Sequence, residues 1–195
     1  METHLFKKGY NTILAIDEAG RGPLAGPLCV GGTLFQEIHI PLLRHRIFFD
    51  SKQLTEQKRN GLFQEIKKQG IPHKAIFLSV HHIDTLGIQD AWKTGITKLI
   101  KYFQPDVTLI DGRWAFDLSV PHLFIVDGDN LIPSISAASI VAKVTRDSYM
   151  TAQHKKYPLY NFAQHKGYGT KDHIVLIKKY GLSKIHRKTY CKNFL

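Results

Sequence analysis

Short apolar runs that end in acidic residues recur along the chain. Runs of this length that are rich in branched apolar residues are typical of buried strands. The runs and the acids that follow them are residues 13–16 with Asp17 and Glu18, residues 107–110 with Asp111, and residues 123–126 with Asp127 and Asp129. If the sheet places these strand ends side by side, the carboxylates will converge on one point.

The remaining periodic segments predict two further strands and three long helices. The strands are expected over residues 29–35 and 74–80, and the helices over residues 55–68, 83–103 and 133–155. Thr55 is a suitable N-cap for the first helix, and Gly70 is a suitable stop. Gly31 and Gly32 weaken their strand or mark a bulge, and Gly87 and Gly95 interrupt the second helix.

The helix predicted over residues 133–155 carries polar and cationic side chains along one face. They recur at helical spacing and are Ser136, Ser139, Lys143 and Arg146. Such a stripe is either an ordinary exposed face or a binding surface. Residues 157–173 follow as an aromatic and basic loop, in which flanking glycines leave the ring of Tyr168 accessible for stacking on a sugar or base.

The composition is that of an ordinary globular protein. With 195 residues and 43% hydrophobic residues, the chain suits one domain with a small appended helical segment. No apolar run is long enough to span a membrane, and residues 1–10 lack the apolar core of a signal peptide. Cys29 and Cys191 provide no disulfide framework. We therefore expect a cytoplasmic protein that does not bind membranes.

The positive charge is concentrated near the end of the chain. The formal net charge is 27 − 16 = +11. Residues 1–142 hold 15 Lys/Arg and 14 Asp/Glu, a net of +1, whereas residues 143–195 hold 12 Lys/Arg and 2 acids, a net of +10. This asymmetry favours a polyanionic partner, most simply a nucleic acid, over a basic helical surface that is merely solvated.

The acids at the strand ends predict a site for two divalent cations, Mg²⁺ or Mn²⁺. We place Asp17, Glu18, Asp111 and Asp129 in one cluster, with Asp127 as the rival for the fourth position. Like charges in a small volume oppose each other's ionisation, and hard cations relieve this because they bind carboxylate oxygens. Neighbours on a straight strand point to opposite faces, so either the first strand ends at Asp17 or Glu18 reaches the site from the turn.

Two segments could bind phosphate beside these acids. Gly20, Arg21 and Gly22 form a turn that offers free amides and a guanidinium. Ser51 and Lys52 precede a predicted helix and could hold a phosphate with hydroxyl, ammonium and amide groups, although this dipeptide alone is a weak signal. The histidines lack the spacing of a zinc site, and we expect them at the surface or hydrogen-bonded.

Several of these motifs together resemble one known family. Residues 17–27, Asp-Glu-Ala-Gly-Arg-Gly-Pro-Leu-Ala-Gly-Pro, closely resemble the opening signature of type 2 ribonuclease H, the ribonuclease HII family. Residues 136–147 resemble its Ser-Ala-Ala-Ser-Ile-x-Ala-Lys-Val-x-Arg-Asp helix, and residues 50–54 its Asp-Ser-Lys-Lys-Leu element. The chain departs from the family pattern at Asp127, where the family usually has Lys, and at Gly87, where it usually has Asn.

The resemblance implies an α/β, ribonuclease H-like fold with a mixed sheet flanked by helices and a C-terminal helical extension. Residues 1–155 would form the catalytic domain, and residues 156–195 a basic segment packed on it. The implied activity is two-metal cleavage of RNA in RNA–DNA hybrids and 5′ to single ribonucleotides in duplex DNA, leaving 3′-hydroxyl and 5′-phosphate ends. The residues implied to bind substrate are Gly20, Arg21, Gly22, Ser51, Lys52, Ser139, Lys143, Arg146 and Tyr168. A monomer is expected, and recruitment by a replication protein is left open.

Three other functions compete with this one. A non-catalytic nucleic-acid-binding module would explain the basic segment but not the acids at the strand ends, which repel phosphate. Another metal-dependent nuclease of the same fold, such as a junction resolvase, would share the acids but not the Gly20–Gly22 turn or the loop around Tyr168. A phosphate-binding metabolic enzyme lacks support, since no nucleotide-binding glycine motif is present.

Overall fold

One mixed sheet organises the molecule and brings the acid-bearing strands together. The computed structural model describes residues 1–44, 55–113 and 116–194. The strands are β1 (Ile13–Ala19), β2 (Leu28–Phe35), β3 (His73–Leu78), β4 (Val107–Asp111) and β5 (His122–Ile125). They form a five-stranded sheet in the order β3-β2-β1-β4-β5.

The strand directions place three carboxyl ends at the same edge. β1 pairs with β2 and β2 with β3 in antiparallel fashion, whereas β1, β4 and β5 are parallel neighbours. Ile16 is paired with Ile110, so Asp17 and Asp111 follow at adjacent positions. The predicted convergence of the acid-ending strands is therefore confirmed for β1 and β4, with the end of β5 next to them.

Helices cover both faces of this sheet, which confirms the predicted α/β class. In the described part of the chain they are α1 (Glu2–Lys7), α2 (Ile40–Arg44), α3 (Glu56–Lys68), α4 (Val80–Phe103), α5 (Gly128–Leu131), α6 (Pro133–Lys156), α7 (Phe162–His165), α8 (Lys171–Tyr180) and α9 (Lys188–Cys191). No helix among the described residues has the length and apolar content needed to cross a lipid bilayer.

The alternation of side chains along β1 divides the core into two layers. Ile13 and Ala15 pack with residues of α6 and α3 on one face. Leu14 and Ile16 pack with residues of α4 on the other. This two-residue period fixes the face on which each acid at the end of β1 emerges.

The glycines of β2 allow a helix to approach the sheet closely. β2 pairs with β1 without interruption from Cys29 to Phe35, so the expectation of a weakened or bulged strand was wrong. A Cβ on Gly31 would lie 2.6 Å from the carbonyl oxygen of Ala138, and so α6 can lie against the strand only because this position lacks a side chain.

Local sequence signals at the helix ends agree with the structure. The Thr55 hydroxyl accepts the Lys58 N–H at 3.3 Å and caps α3 as predicted. α4 begins three residues before the predicted start, because the Ser79 hydroxyl caps it by accepting the His82 N–H at 3.1 Å. Gly87, with φ of +87°, interrupts α4 as predicted, but α4 continues through Gly95, so the interruption predicted there was wrong.

The C-terminal part of the chain is more ordered than the sequence indicated. The loop predicted over residues 157–173 contains α7 and the first residues of α8, with Phe162 fully buried. The predicted basic tail divides into exposed lysines and a buried pair, His186 and Arg187. Ala25 bridges to His186, which ties this part of the chain to the loop between β1 and β2.

Candidate active site

The two acids at the end of β1 emerge on opposite faces of the sheet. β1 continues straight through Ala19, so Asp17 lies on the α6 side and Glu18 on the α4 side. Asp17 is hydrogen-bonded by the Ser139 side chain of α6. The indole Nε1 of Trp92 in α4 donates to Glu18 Oε2 at 2.8 Å. Each carboxylate is therefore oriented by a donor from the helix on its own face.

Asp111 joins these two acids in one cleft. It ends β4 on the same face as Leu109, which packs in the α6 layer, and its Oδ1 accepts the Gly128 N–H at 2.7 Å. The cleft has a volume of about 280 Å³ and is lined by Asp17, Glu18, Ala19, Gly20, Arg59, Asp111, Ser139, Lys143 and Tyr168. Seven of the residues predicted for the site, Gly20 among them, thus line a single cleft.

Burial and mutual repulsion oppose the ionisation of the acids at the end of β1. Burial raises the pKa of Asp17 well above its usual value, and the neighbouring charges of Glu18 and Asp111 raise it further. Burial also raises the pKa of Glu18, with a contribution from Asp111, although Arg21 and Trp92 act in the opposite direction. Bringing the three carboxylates together without a cation is therefore unfavourable at neutral pH.

The donor set fits a hard divalent cation. All the acidic side chains in the cleft offer carboxylate oxygen, the ligand that Mg²⁺ and Mn²⁺ prefer, and a bound cation would relieve the repulsion among them. Within residues 1–44, 55–113 and 116–194, no three His, Cys, Asp or Glu side chains are close enough together to count as a formed metal site.

The fourth predicted acid lies beside the cleft and does not line it. Asp129 is fully buried in the first turn of α5, and the preceding Gly128 bonds Asp111. Asp127 is exposed and has a left-handed backbone, with φ of +54°. Asp127 and Asp129 were the two candidates for the fourth acid. Asp129 is the buried one, and it directly follows Gly128, whose N–H donates to Asp111.

The Gly20–Gly22 turn packs against the acids through Arg21. The Arg21 guanidinium forms an ion pair with Glu18 and lies over the Trp92 ring, 4.9 Å from its centroid. Gly20 has φ of +97°, and a Cβ there would collide with the Arg146 side chain. A glycine is required at this position for both reasons.

Arg146 has a different position from the one predicted for a substrate ligand. It is fully buried, and its guanidinium donates at 3.1 Å to each of three carbonyl oxygens, those of Ala25, Pro27 and Lys166. These bonds hold the loop between β1 and β2 against residue 166. The helical stripe was therefore interpreted wrongly at this residue, because the face it marks meets a loop rather than solvent.

A second buried arginine holds the same loop and was not singled out from the sequence. Arg187 donates to the carbonyl oxygens of Gly26, Arg21 and Gly20 at 2.9, 2.8 and 2.6 Å. No local pattern distinguishes it from the exposed lysines around it. Its partners lie more than 160 residues away in the chain.

Two other residues of the stripe on α6 reach the cleft, but Ser136 is fully buried and does not line it. Ser139 and Lys143 line it, and Lys143 Nζ is 2.9 Å from Asp147 Oδ1. Tyr168 stands over the same region, 38% exposed, with Lys143 Nζ 5.2 Å and Arg146 Cζ 5.5 Å from the centroid of its ring. The tyrosine ring is thus accessible, as its glycine neighbours predicted.

Two residues of the site were not predicted from the sequence, and two predicted residues lie outside the part of the chain that the structure describes. Trp92 orients Glu18, and Arg59 lines the cleft from α3. A signal for Arg59 was its position one turn into the helix that follows the suspected phosphate-binding dipeptide. Ser51 and Lys52 themselves lie outside the described residues.

Comparisons with known proteins agree on one family. A sequence model described as Ribonuclease HII matches residues 14–193. Ribonuclease HII of Caldicellulosiruptor saccharolyticus is 42% identical over 198 residues, covering 100% of this chain and 94% of that protein. The structure of ribonuclease H2 from Pyrococcus horikoshii superposes with a TM-score of 0.79 at 25% identity, covering 94% of this chain and 96% of that one. Ribonuclease HII of Archaeoglobus fulgidus, solved in complex with PCNA, has a TM-score of 0.80 at 22% identity, covering 90% and 93%.

These matches extend over almost the whole chain and confirm the ribonuclease H-like fold. They also confirm the class of enzyme, since members of this family are endoribonucleases that act on RNA in RNA–DNA hybrids and depend on divalent metal ions. The chain belongs to the ribonuclease HII family.

Proposed function

We propose that this protein cuts the RNA strand of RNA–DNA hybrids and also cuts 5′ to single ribonucleotides in duplex DNA, leaving 3′-hydroxyl and 5′-phosphate ends. Asp17, Glu18, Asp111 and Asp129 would hold two divalent cations, Mg²⁺ or Mn²⁺. The observation that carries the proposal is the cleft in which three of these carboxylates lie together, with the pKa of Asp17 and of Glu18 raised, beside an accessible tyrosine.

The arrangement of the carboxylates suits phosphodiester hydrolysis. Bound divalent ions supply an activated water and stabilise the oxygen that leaves the phosphorus. Asp17 and Asp111 lie on the α6 face of the sheet and Glu18 lies on the α4 face. Cations bound to these acids would therefore contact the reacting phosphate from different sides. The Ser139 and Trp92 side chains hold two of these carboxylates in place. Lys143 provides a cation at the rim for the substrate backbone.

Recognition of ribose is assigned to the turn and the tyrosine. The carbonyls of Gly20 and Arg21 already accept bonds from Arg187, so the turn has a fixed shape before substrate binds. Gly22 is exposed, and a Cβ there would meet nothing within 4 Å, which leaves room for a sugar to approach the backbone. We infer that this turn contacts the 2′-hydroxyl, the group that separates ribose from deoxyribose, and that Tyr168 packs on the neighbouring sugar.

The C-terminal part of the chain supplies the positive surface for a polyanion. Its exposed cations are Lys155, Lys156, Lys171, Lys178, Lys179, Lys184, Lys188 and Lys192. We assign residues 1–155 to the catalytic domain and residues 156–195 to a basic segment packed on it, and we expect a monomer of 22.2 kDa by light scattering. The Archaeoglobus relative was solved in complex with PCNA. A PCNA-like protein is therefore the first replication protein to test as a partner of this chain.

One experiment tests the activity and its specificity together. A DNA duplex with a single ribonucleotide is incubated with the protein and Mg²⁺ or Mn²⁺, and the cut is mapped on a sequencing gel beside an all-DNA duplex. We expect one cut, 5′ to the ribonucleotide, with ends that a ligase and a phosphatase identify as 3′-hydroxyl and 5′-phosphate. No cut in either metal, or equal cutting of the all-DNA duplex, would contradict the proposal.

A further inference from the structure

Three buried histidines lie directly beneath the segment that carries Tyr168. His165 ends α7, His173 lies in α8, and His186 follows in the next loop. Their side chains are 8%, 0% and 2% exposed. The rings of His165 and His173 are stacked, with centroids 4.2 Å apart.

Hydrogen bonds connect two of these histidines in a chain with a fixed direction. The Ser183 N–H donates to His186 Nδ1 at 2.9 Å, so the proton of neutral His186 must lie on Nε2. That nitrogen faces His173 Nε2 at 3.0 Å and donates to it. The proton of His173 is therefore on Nδ1, which donates to the carbonyl oxygen of Tyr168 at 2.8 Å. Both tautomers follow from a backbone donor at one end and a backbone acceptor at the other.

The third histidine holds the other side of the same segment. The Gly167 N–H donates to His165 Nδ1 at 3.1 Å, and His165 Nε2 in turn donates to the Tyr160 carbonyl at 2.7 Å. Between these points, the carbonyl of Gly167 accepts the N–H groups of Leu24 and Ala25 at 2.9 and 3.2 Å. The peptide group before the Tyr168 Cα and the peptide group after it are thus both fixed by hydrogen bonds.

We propose that His173 and His186, together with His165, are positioning residues that set the orientation of Tyr168 over the cleft and thereby the preference for an isolated ribonucleotide. The proposal rests on the proposed function, which gives Tyr168 its contact with the sugar. Apolar side chains could fill the same volume, but the Tyr168 carbonyl would then lose the bond from His173 and keep the bond from the Thr170 N–H at 2.9 Å. Burial lowers the pKa of His173 and of His186 to about 4, so both remain neutral, as the chain of bonds requires, at neutral pH.

Two substitutions at His173 separate positioning from simple core stability. The side-chain amide of His173→Asn takes the place of Nδ1 and can donate to the Tyr168 carbonyl, but it does not extend to His186. The longer amide of His173→Gln reaches the place of Nε2 and can face His186, but it loses the bond to Tyr168. Both variants disturb the same buried cluster, so each serves as the control for the other.

The readout is the ratio of kcat/KM on a single-ribonucleotide duplex to kcat/KM on a continuous RNA–DNA hybrid. Wild type, His173→Asn, His173→Gln and Tyr168→Ala are compared under conditions in which circular dichroism shows that each is folded. We expect His173→Gln to lower the ratio by about tenfold, since small displacements of a positioning group have effects of this order, and His173→Asn by less than about threefold. Tyr168→Ala should lower the ratio at least as much as His173→Gln. Amide hydrogen exchange of residues 167–170 should accelerate in His173→Gln and change little in His173→Asn.

The outcomes distinguish this inference from the proposed function. A lower ratio in Tyr168→Ala, combined with equal ratios in the two His173 variants, would overturn the positioning role and leave the role of Tyr168 intact. An unchanged ratio in Tyr168→Ala would overturn the sugar contact and the positioning role that rests on it. The expected order, with His173→Gln close to Tyr168→Ala and His173→Asn close to wild type, supports both.

Discussion

Two buried regions of opposite charge meet at the loop between β1 and β2, and they are neutralised in different ways. On one side, burial and the neighbouring charges of Glu18 and Asp111 raise the pKa of Asp17, and burial raises the pKa of Glu18 despite its ion pair with Arg21. On the other side, the guanidinium groups of Arg146 and Arg187 each donate to three backbone carbonyls. The guanidinium groups are each enclosed by carbonyl acceptors, whereas the three carboxylates line a cleft that a ligand can enter.

This difference explains why only one of the two regions is a ligand site. Burial of any charge is unfavourable unless partners replace its hydration. The arginines receive those partners when the chain folds, and they fix the shape of the Gly20–Gly22 turn. The carboxylates have donors of their own, but they line an open cleft in which a bound cation would relieve the repulsion among them. Buried like charges that line an open cleft are therefore better evidence for a binding site than a buried charge as such.

The largest effect is expected when the acidic region loses one charge. Asp17→Asn should lower turnover by about 10³-fold or more, because the substitution removes a ligand for the cations that hydrolyse the phosphodiester. The free energy of unfolding without divalent ions should stay the same or rise at neutral pH. The pKa of the Asp17 carboxyl is raised in the folded state, so the free energy of unfolding of the wild type falls as the pH rises through that pKa. The side-chain amide of Asp17→Asn does not ionise and causes no such loss. Single-turnover cleavage and urea unfolding measure the two quantities.

Asp106 provides a matched control for that prediction. Its Oδ2 accepts the N–H groups of Asn11 and Thr12 at 2.7 and 3.0 Å, at the opposite ends of β1 and β4. Asp106→Asn should lower the free energy of unfolding by about 1 kcal/mol and leave turnover unchanged. Mg²⁺ should raise the urea midpoint of unfolding of the wild type and of Asp106→Asn. It should raise the midpoint of Asp17→Asn much less. Comparable turnover in Asp17→Asn and Asp106→Asn would show that the acids are misassigned.

The second prediction concerns the cationic region. Arg187→Lys keeps a buried positive charge but cannot reach three separate carbonyls, so it should lower the free energy of unfolding by about 3 kcal/mol. Urea unfolding in the presence of Mg²⁺ measures this loss. Lys184→Met, which removes an exposed cation three residues earlier, should change stability by less than about 0.5 kcal/mol. Equal losses in the two variants would mean that the carbonyl bonds of Arg187 contribute little.

The same comparison shows what the sequence could predict. The acids were found because apolar runs predict strands and parallel neighbours bring their carboxyl ends together. The opposite orientation of Asp17 and Glu18 follows from the two-residue period of a strand. The function of Arg146 could not be predicted in this way, because a helical stripe does not say whether it meets solvent or a loop 121 residues away. Arg187 has the same difficulty, since its partners are backbone carbonyls that leave no pattern of side chains in the sequence.

A third prediction uses the histidines next to the cationic region. Burial lowers the pKa of His173 and His186 to about 4, so the unfolded chain binds more protons than the folded protein between about pH 6.5 and 4. Stability is therefore fully present above pH 6.5 and is lost as the pH falls through this window, by about 1 to 2 kcal/mol for each histidine. Urea unfolding of Asp17→Asn from pH 7 to pH 4 measures the loss in a background where Asp17 does not titrate. Adding His186→Asn should make the decline shallower, and an identical slope would contradict the assignment.

The smallest effect is expected at Asp127, which lies at the exposed edge of the acidic region. Asp127 is exposed and lies two residues before Asp129, so its charge should repel a polyanionic substrate without affecting the fold. Asp127→Asn should raise kcat/KM on a duplex substrate by about twofold to threefold at low salt, since exposed charges interact weakly across water. Asn also tolerates the left-handed backbone at this position, where φ is +54°. Because screening shortens the reach of a surface charge, the gain should vanish at about 0.5 M salt, and a gain that persists there would indicate that Asp127 acts on the cations through direct contact.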